Sequence, residues 1–190
     1  YRTSTPSLAW APTSVVTSIG SRNIKVIVSE YNSIDWSTGG WENVNDLGHA
    51  LVNFQMFGDQ IKIPKVEDAY LWNTRWVDNT TSPQHIYDAL DKNGNLNATG
   101  KALALWGNYF SDKMVSSTNS GYIRSFAMMN NTGTTLTLFL INKDLSSQPV
   151  NITVSNFPGI TQPGITIQEA RLAGTAVTDK FPVLSYPTGT

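Results

Sequence analysis

Ile24-Lys25-Val26-Ile27-Val28-Ser29 places β-branched apolar residues at adjacent positions rather than alternating ones. A run of that kind is a buried strand, apolar on both faces, of the sort found in parallel sheets covered by helices. It needs cover above and below and a neighbour along each edge. Val66 to Trp72 reads as a second strand. Whatever the chain folds into must satisfy both.

Helical periodicity fills the space between and after these runs. Leu47, Ala50, Leu51, Phe54 and Phe57 recur at three- and four-residue spacing, which predicts a helix from about Asn45 to Phe57, closed by Gly58. Thr99 is expected to cap another helix, with Leu103, Trp106, Phe110 and Met114 on its inner face. Strand, helix, strand, helix is the order of an α/β fold. Beyond Ser116 the apolar period changes to 2. Gly121–Met129, Thr134–Asn142, Val150–Ser155 and Ile165–Leu172 read as short strands divided by polar turns, the pattern of an antiparallel β-sandwich. The expected fold class is therefore α/β followed by all-β, with the change in the Ser-, Thr- and Asn-rich run Ser116–Ser120. Two strands cannot close a barrel or complete a doubly wound sheet, so the chain is expected to be a piece of something longer or to be completed by another chain.

Composition narrows the function classes. Charged residues make up 14% of the 190, against roughly 25% in an average soluble domain. Asn, Ser, Thr and Gly carry the polarity instead, which suits an extracellular surface. A net charge of -1 gives no electrostatic case for nucleic acid or an anionic membrane. No apolar run approaches the ~18 residues of a membrane span. The chain has no cysteine, which excludes disulfides and thiolate metal sites. Neither His49 nor His85 has a second ligand at suitable spacing, so no metal site is expected. Asn79, Asn97, Asn130 and Asn151 head sequons and are candidate glycosylation sites, although an Asn- and Thr-rich chain generates several by chance.

Glutamate is scarce: Glu30, Glu42, Glu67 and Glu169 are all there are. Glu30 stands at the carboxyl end of the first strand run, followed by Tyr31 and Asn32. The loop after it holds Asp35, Trp36 and Trp41, and the second strand run ends on Trp72 with Trp76 close behind. A carboxylate among indole rings fits sugar chemistry, in which the carboxylate attacks the anomeric carbon and flat rings pack on pyranose C–H faces. Trp36, Trp41, Trp72 and Trp76 are thus candidate stacking residues, and Tyr31 or Asn32 a candidate for positioning the nucleophile or a sugar hydroxyl. The plainer reading is a strand-end glutamate in an ion pair, with aromatic residues that fill the core.

Val26-Ile27-Val28-Ser29-Glu30-Tyr31-Asn32, Leu47-Gly48-His49-Ala50-Leu51, Ala69-Tyr70-Leu71-Trp72 and Thr99-Gly100-Lys101-Ala102-Leu103 occur in an order that resembles the carboxy-terminal portion of clan A retaining glycoside hydrolases. The same segment is similar to that of xylosidase-, arabinofuranosidase- and agarase-type members. The resemblance implies a secreted enzyme acting on polysaccharide or oligosaccharide without a cofactor. It implies that residues 1–116 are the last strands and helices of a (β/α)8 barrel and that 117–190 are the β-sandwich. It gives Glu30 the nucleophile's place and Trp72 that of the aromatic residue ending the eighth strand. The family's acid/base glutamate ends a fourth strand that has no counterpart here, so the remainder of the barrel is expected on the same or another chain. Retaining chemistry needs two carboxyl groups about 5–5.5 Å apart. The chain alone is therefore expected to be inactive. Two rivals stand beside this: a non-catalytic extracellular structural or assembly protein, and a carbohydrate-binding module, each derived from such an enzyme.

Overall fold

The computed structural model describes residues 18–33, 45–75, 88–158, 164 and 166–186. Among them are two helices and seven short strands. Their order is β1 (Val26–Tyr31), α1 (Leu47–Ile61), β2 (Val66–Leu71), α2 (Ala98–Tyr109), β3 (Lys113–Val115), β4 (Ile123–Met129), β5 (Leu136–Asn142), β6 (Arg171–Ala173) and β7 (Val183–Ser185). β1 and β2 form a parallel pair, with Val26 opposite Val66 and Tyr31 opposite Leu71. β3, β4 and β5 form an antiparallel sheet in that order, and β6 pairs with β7.

This is a small mixed α/β fold, and it corrects the expected partial (β/α)8 barrel followed by a β-sandwich. β1 is not the doubly buried strand its composition predicts, because Ile27 is 56% exposed and β2 is its one partner among the described residues. Val150–Ser155 makes no strand, and of the described residues of the expected strand Ile165–Leu172 only the last two join a strand, β6. Ile152 and Ile167 are 57% and 69% exposed. Apolar alternation proposes a strand, but a ladder also needs a partner edge. A sandwich further requires a second sheet over the first. Here the inner face of β4 and β5 is covered by helices instead.

The core explains that choice. Phe126 and Met128 of β4 and Phe139 and Ile141 of β5 cluster with Ala50 and Phe54 of α1 and Ala98, Ala102 and Trp106 of α2. The Trp106 ring stacks on Phe54 at a centroid separation of 4.9 Å and lies 3.9 Å from that of Phe139. Its indole N–H donates to the Phe54 carbonyl at 3.1 Å, so the buried polar handle of the Trp is satisfied. One apolar cluster thus joins residues on both sides of Ser116.

Two glycines make the close packing possible. A Cβ on Gly58 would stand 2.6 Å from Cζ of Phe126, so the β4 ring presses directly on the α1 backbone. Gly58 therefore does not close the helix as expected: α1 runs on to Ile61. A Cβ on Gly100 would meet the Ala89 carbonyl oxygen at 2.1 Å, so the first turn of α2 admits only glycine there.

Both helix starts are held by other parts of the chain. Asp46 caps α1 by accepting from the His49 amide at 2.9 Å. The Leu47 and Gly48 amides, orphaned by the helix geometry, donate to the carbonyls of Asp179 and Val177, each at 2.8 Å. At α2 the expected cap, Thr99, lies inside the helix, and Asn97 occupies the cap position. The Thr99 amide and hydroxyl both donate to Oδ1 of Asn45 at 3.1 Å. Phe110 ends α2, and Met114 belongs to β3 rather than to the helix face.

Candidate functional site

Parallel pairing sets the carboxyl ends of β1 and β2 side by side. The Trp72 amide donates to the Tyr31 carbonyl at 2.9 Å, which carries the ladder one residue past β2. Glu30 and Trp72 therefore occupy neighbouring strand ends, Glu30 exposed and Trp72 half-buried. The Trp72–Asn73 peptide bond is cis. The Glu30 side chain is exposed to solvent.

Tyr31 points elsewhere. It is buried, with its ring 6.4 Å from that of Phe57, and desolvation raises the phenol well above its ordinary pKa. It lines a cavity of about 340 Å³ with Phe57, Leu71, Ala89, Trp106 and Phe110. Glu30 does not line that cavity. Tyr31 is placed for packing β1 against the helices rather than for reaching a sugar.

Asn32 is turned inward as well. Its Nδ2 donates to the Trp72 carbonyl at 2.6 Å, and its Oδ1 accepts from the Ser33 amide at 2.7 Å. The same Oδ1 lies 2.8 Å from His49 Nε2 and 3.3 Å from Asn53 Nδ2. His49 and Asn53 are both fully buried on α1. Buried polar groups of this kind persist where they satisfy one another, and here they connect both strand ends to the helix. In the sequence His49 stands out only as a metal candidate without a second ligand, and Asn53 not at all. Their signal was a polar pair four residues apart within an otherwise apolar helix stretch, hence on one face.

The remaining candidates divide by location. Trp36, Trp41, Trp76 and Asn79 lie outside the described residues. The Asn97 side chain is buried and donates to the Asp88 carbonyl at 3.3 Å. Asn130 is committed to its turn, accepting from the Thr134 and Thr135 amides, while Asn151 is exposed. Of the described carboxylates, Glu67 and Asp68 stand toward the amino end of β2, and Glu67 pairs with Lys25 at 3.1 Å. Asp46 and Asp88 are buried. Asp35 and Glu42 lie outside the described residues. No group of three or more His, Asp or Glu side chains suited to a metal occurs among the described residues. Nor is any described helix long and apolar enough to cross a membrane. The chain matches no family model, no curated protein and no solved structure.

Proposed function

We propose that this chain contributes the nucleophile-bearing part of a secreted retaining glycoside hydrolase acting on polysaccharide, with Glu30 as the carboxylate that attacks the anomeric carbon. The observation that carries the proposal is that exposed Glu30 and half-buried Trp72 lie at the adjoining carboxyl ends of a parallel pair. An indole on the neighbouring strand end offers a flat face for a pyranose ring, and the nucleophile needs access to the sugar. Glu67 and Asp68 stand toward the opposite strand end, so neither serves as the proton donor in this reading.

That same distribution of carboxylates favours a second reading for the chain by itself, binding glycan without cleaving it. General acid catalysis contributes about 10²–10⁴-fold in rate, and a site with one carboxylate forgoes it.

The deciding experiment is covalent trapping. A 2-deoxy-2-fluoroglycoside incubated with the native protein should add its glycosyl mass to the peptide holding Glu30, and Glu30→Gln should abolish the adduct while leaving the circular dichroism spectrum unchanged. An adduct on Glu42 or Glu67, or one that survives Glu30→Gln, would reject Glu30. Binding of oligosaccharide with no adduct and no turnover would favour the binding module.

A further inference from the structure

We infer that Asn32, His49 and Asn53 act as one positioning unit that holds the Trp72 backbone, and with it the indole, at the mouth of the candidate site. The bonding pattern fixes the chemistry of the unit. A carbonyl only accepts, so the Asn32 atom 2.6 Å from Trp72 O is the amide nitrogen. A backbone amide only donates, so the atom 2.7 Å from Ser33 N is the amide oxygen. The two constraints agree and set the orientation of the Asn32 side chain, which diffraction or density alone often leaves ambiguous. Asn32 Oδ1 is then an acceptor, and His49 Nε2, at 2.8 Å, must carry its proton.

Three donors therefore converge on one oxygen: the Ser33 amide, His49 Nε2–H and Asn53 Nδ2. With its oxygen pinned, the Asn32 amide can present its N–H in only one direction, toward Trp72. His49 and Asn53 are both 0% exposed and sit on helix α1, so the unit ties the two strand ends to the helix that packs on the core. Asn32 is thus a positioning residue that acts through Trp72. The consequence for glycan binding rests on the reading of Trp72 as a stacking wall. The hydrogen-bond unit itself does not.

The test uses the full chain labelled with 5-fluorotryptophan, with the Trp72 fluorine resonance assigned by Trp72→Phe. Asn32→Asp keeps an acceptor for His49 and Ser33 but sets a second oxygen against the Trp72 carbonyl, so the Trp72 resonance should move. His49→Gln offers an N–H near the same place and should leave it in position, whereas His49→Leu should move it. A two-bond proton–nitrogen spectrum should show the His49 proton on Nε2, with His85 identified by His85→Gln. A Trp72 resonance unmoved in both Asn32→Asp and His49→Leu, or a His49 ring protonated on Nδ1 alone, would overturn the unit. Affinity for xylohexaose, arabinohexaose and neoagarohexaose provides the separate check on Trp72. Asn32→Asp should weaken whichever of these binds by about tenfold, the worth of one well-placed hydrogen bond, with His49→Gln near the parent value. If Trp72→Ala leaves binding unchanged while the resonance shifts occur as expected, the stacking reading fails and the positioning unit is still supported.

Discussion

The Asp59 carboxylate on α1 accepts from Gln55 Nε2 at 3.0 Å and has Lys62, Lys143 and Arg124 in its surroundings. Its pKa is nevertheless raised above the ordinary 3.8, because burial outweighs the bond and the three cations. The folded chain thus holds this proton more tightly than the unfolded one. Stability contributed at this site is present below the ordinary carboxylate range and is lost as pH rises through the raised value. Asp59→Asn should accordingly unfold at higher denaturant than the parent at pH 7, with the gap closing as pH falls through the raised value and absent below about 3.8. Urea melts across that range measure it, and a gap that widens toward acid would contradict the assignment. At this scale the sequence was informative where position alone sets the outcome. Glu30 and Trp72 could be placed at strand ends from the apolar runs before them. The direction of Tyr31 and Asn32 could not, because it depends on Phe57, His49 and Asn53, which approach from α1.

Helix α1 was legible as an element and misread at both ends. Its apolar spacing is strong, yet Gly58 serves Phe126 rather than the terminus, a fact carried by a strand many residues away. Its start relies on Asp46 together with the Asp179 and Val177 carbonyls. Replacing an N-cap carboxylate by alanine typically costs about 1 kcal/mol. Asp46→Ala should lower stability by that amount, read as a shift in the urea midpoint without a change in slope. Asp46→Asn, which retains the accepting oxygen, should recover most of it. The short strands β6 and β7 show the opposite limit. Leu172 and Leu184 face each other there across a three-residue ladder, too brief for periodicity to reveal.

Across the whole molecule, α1, α2, β4 and β5 share a single apolar cluster. The change of period near Ser116 marks where strands replace helices in the sequence, and the cluster joins what lies on either side. Removing a buried aromatic ring of this kind costs about 3–5 kcal/mol. Phe126→Ala should therefore weaken α1 and α2 as much as the sheet. Hydrogen exchange at amides of α1 and of β5 should accelerate together, and one unfolding transition should report both. Exchange that rises in β5 alone would indicate two independently stable parts.

The notch at Gly58 has an evolutionary corollary. A gene rearrangement that transplanted residues 117–190 onto another helical scaffold would carry Phe126 away from the bare α1 position that receives it. Descent should then preserve the two halves as a linked pair. A glycine at position 58 and a flat ring at position 126 should be inherited together or lost together, and a survey of descendants in which either persists without the other would show that the linkage is not obligatory.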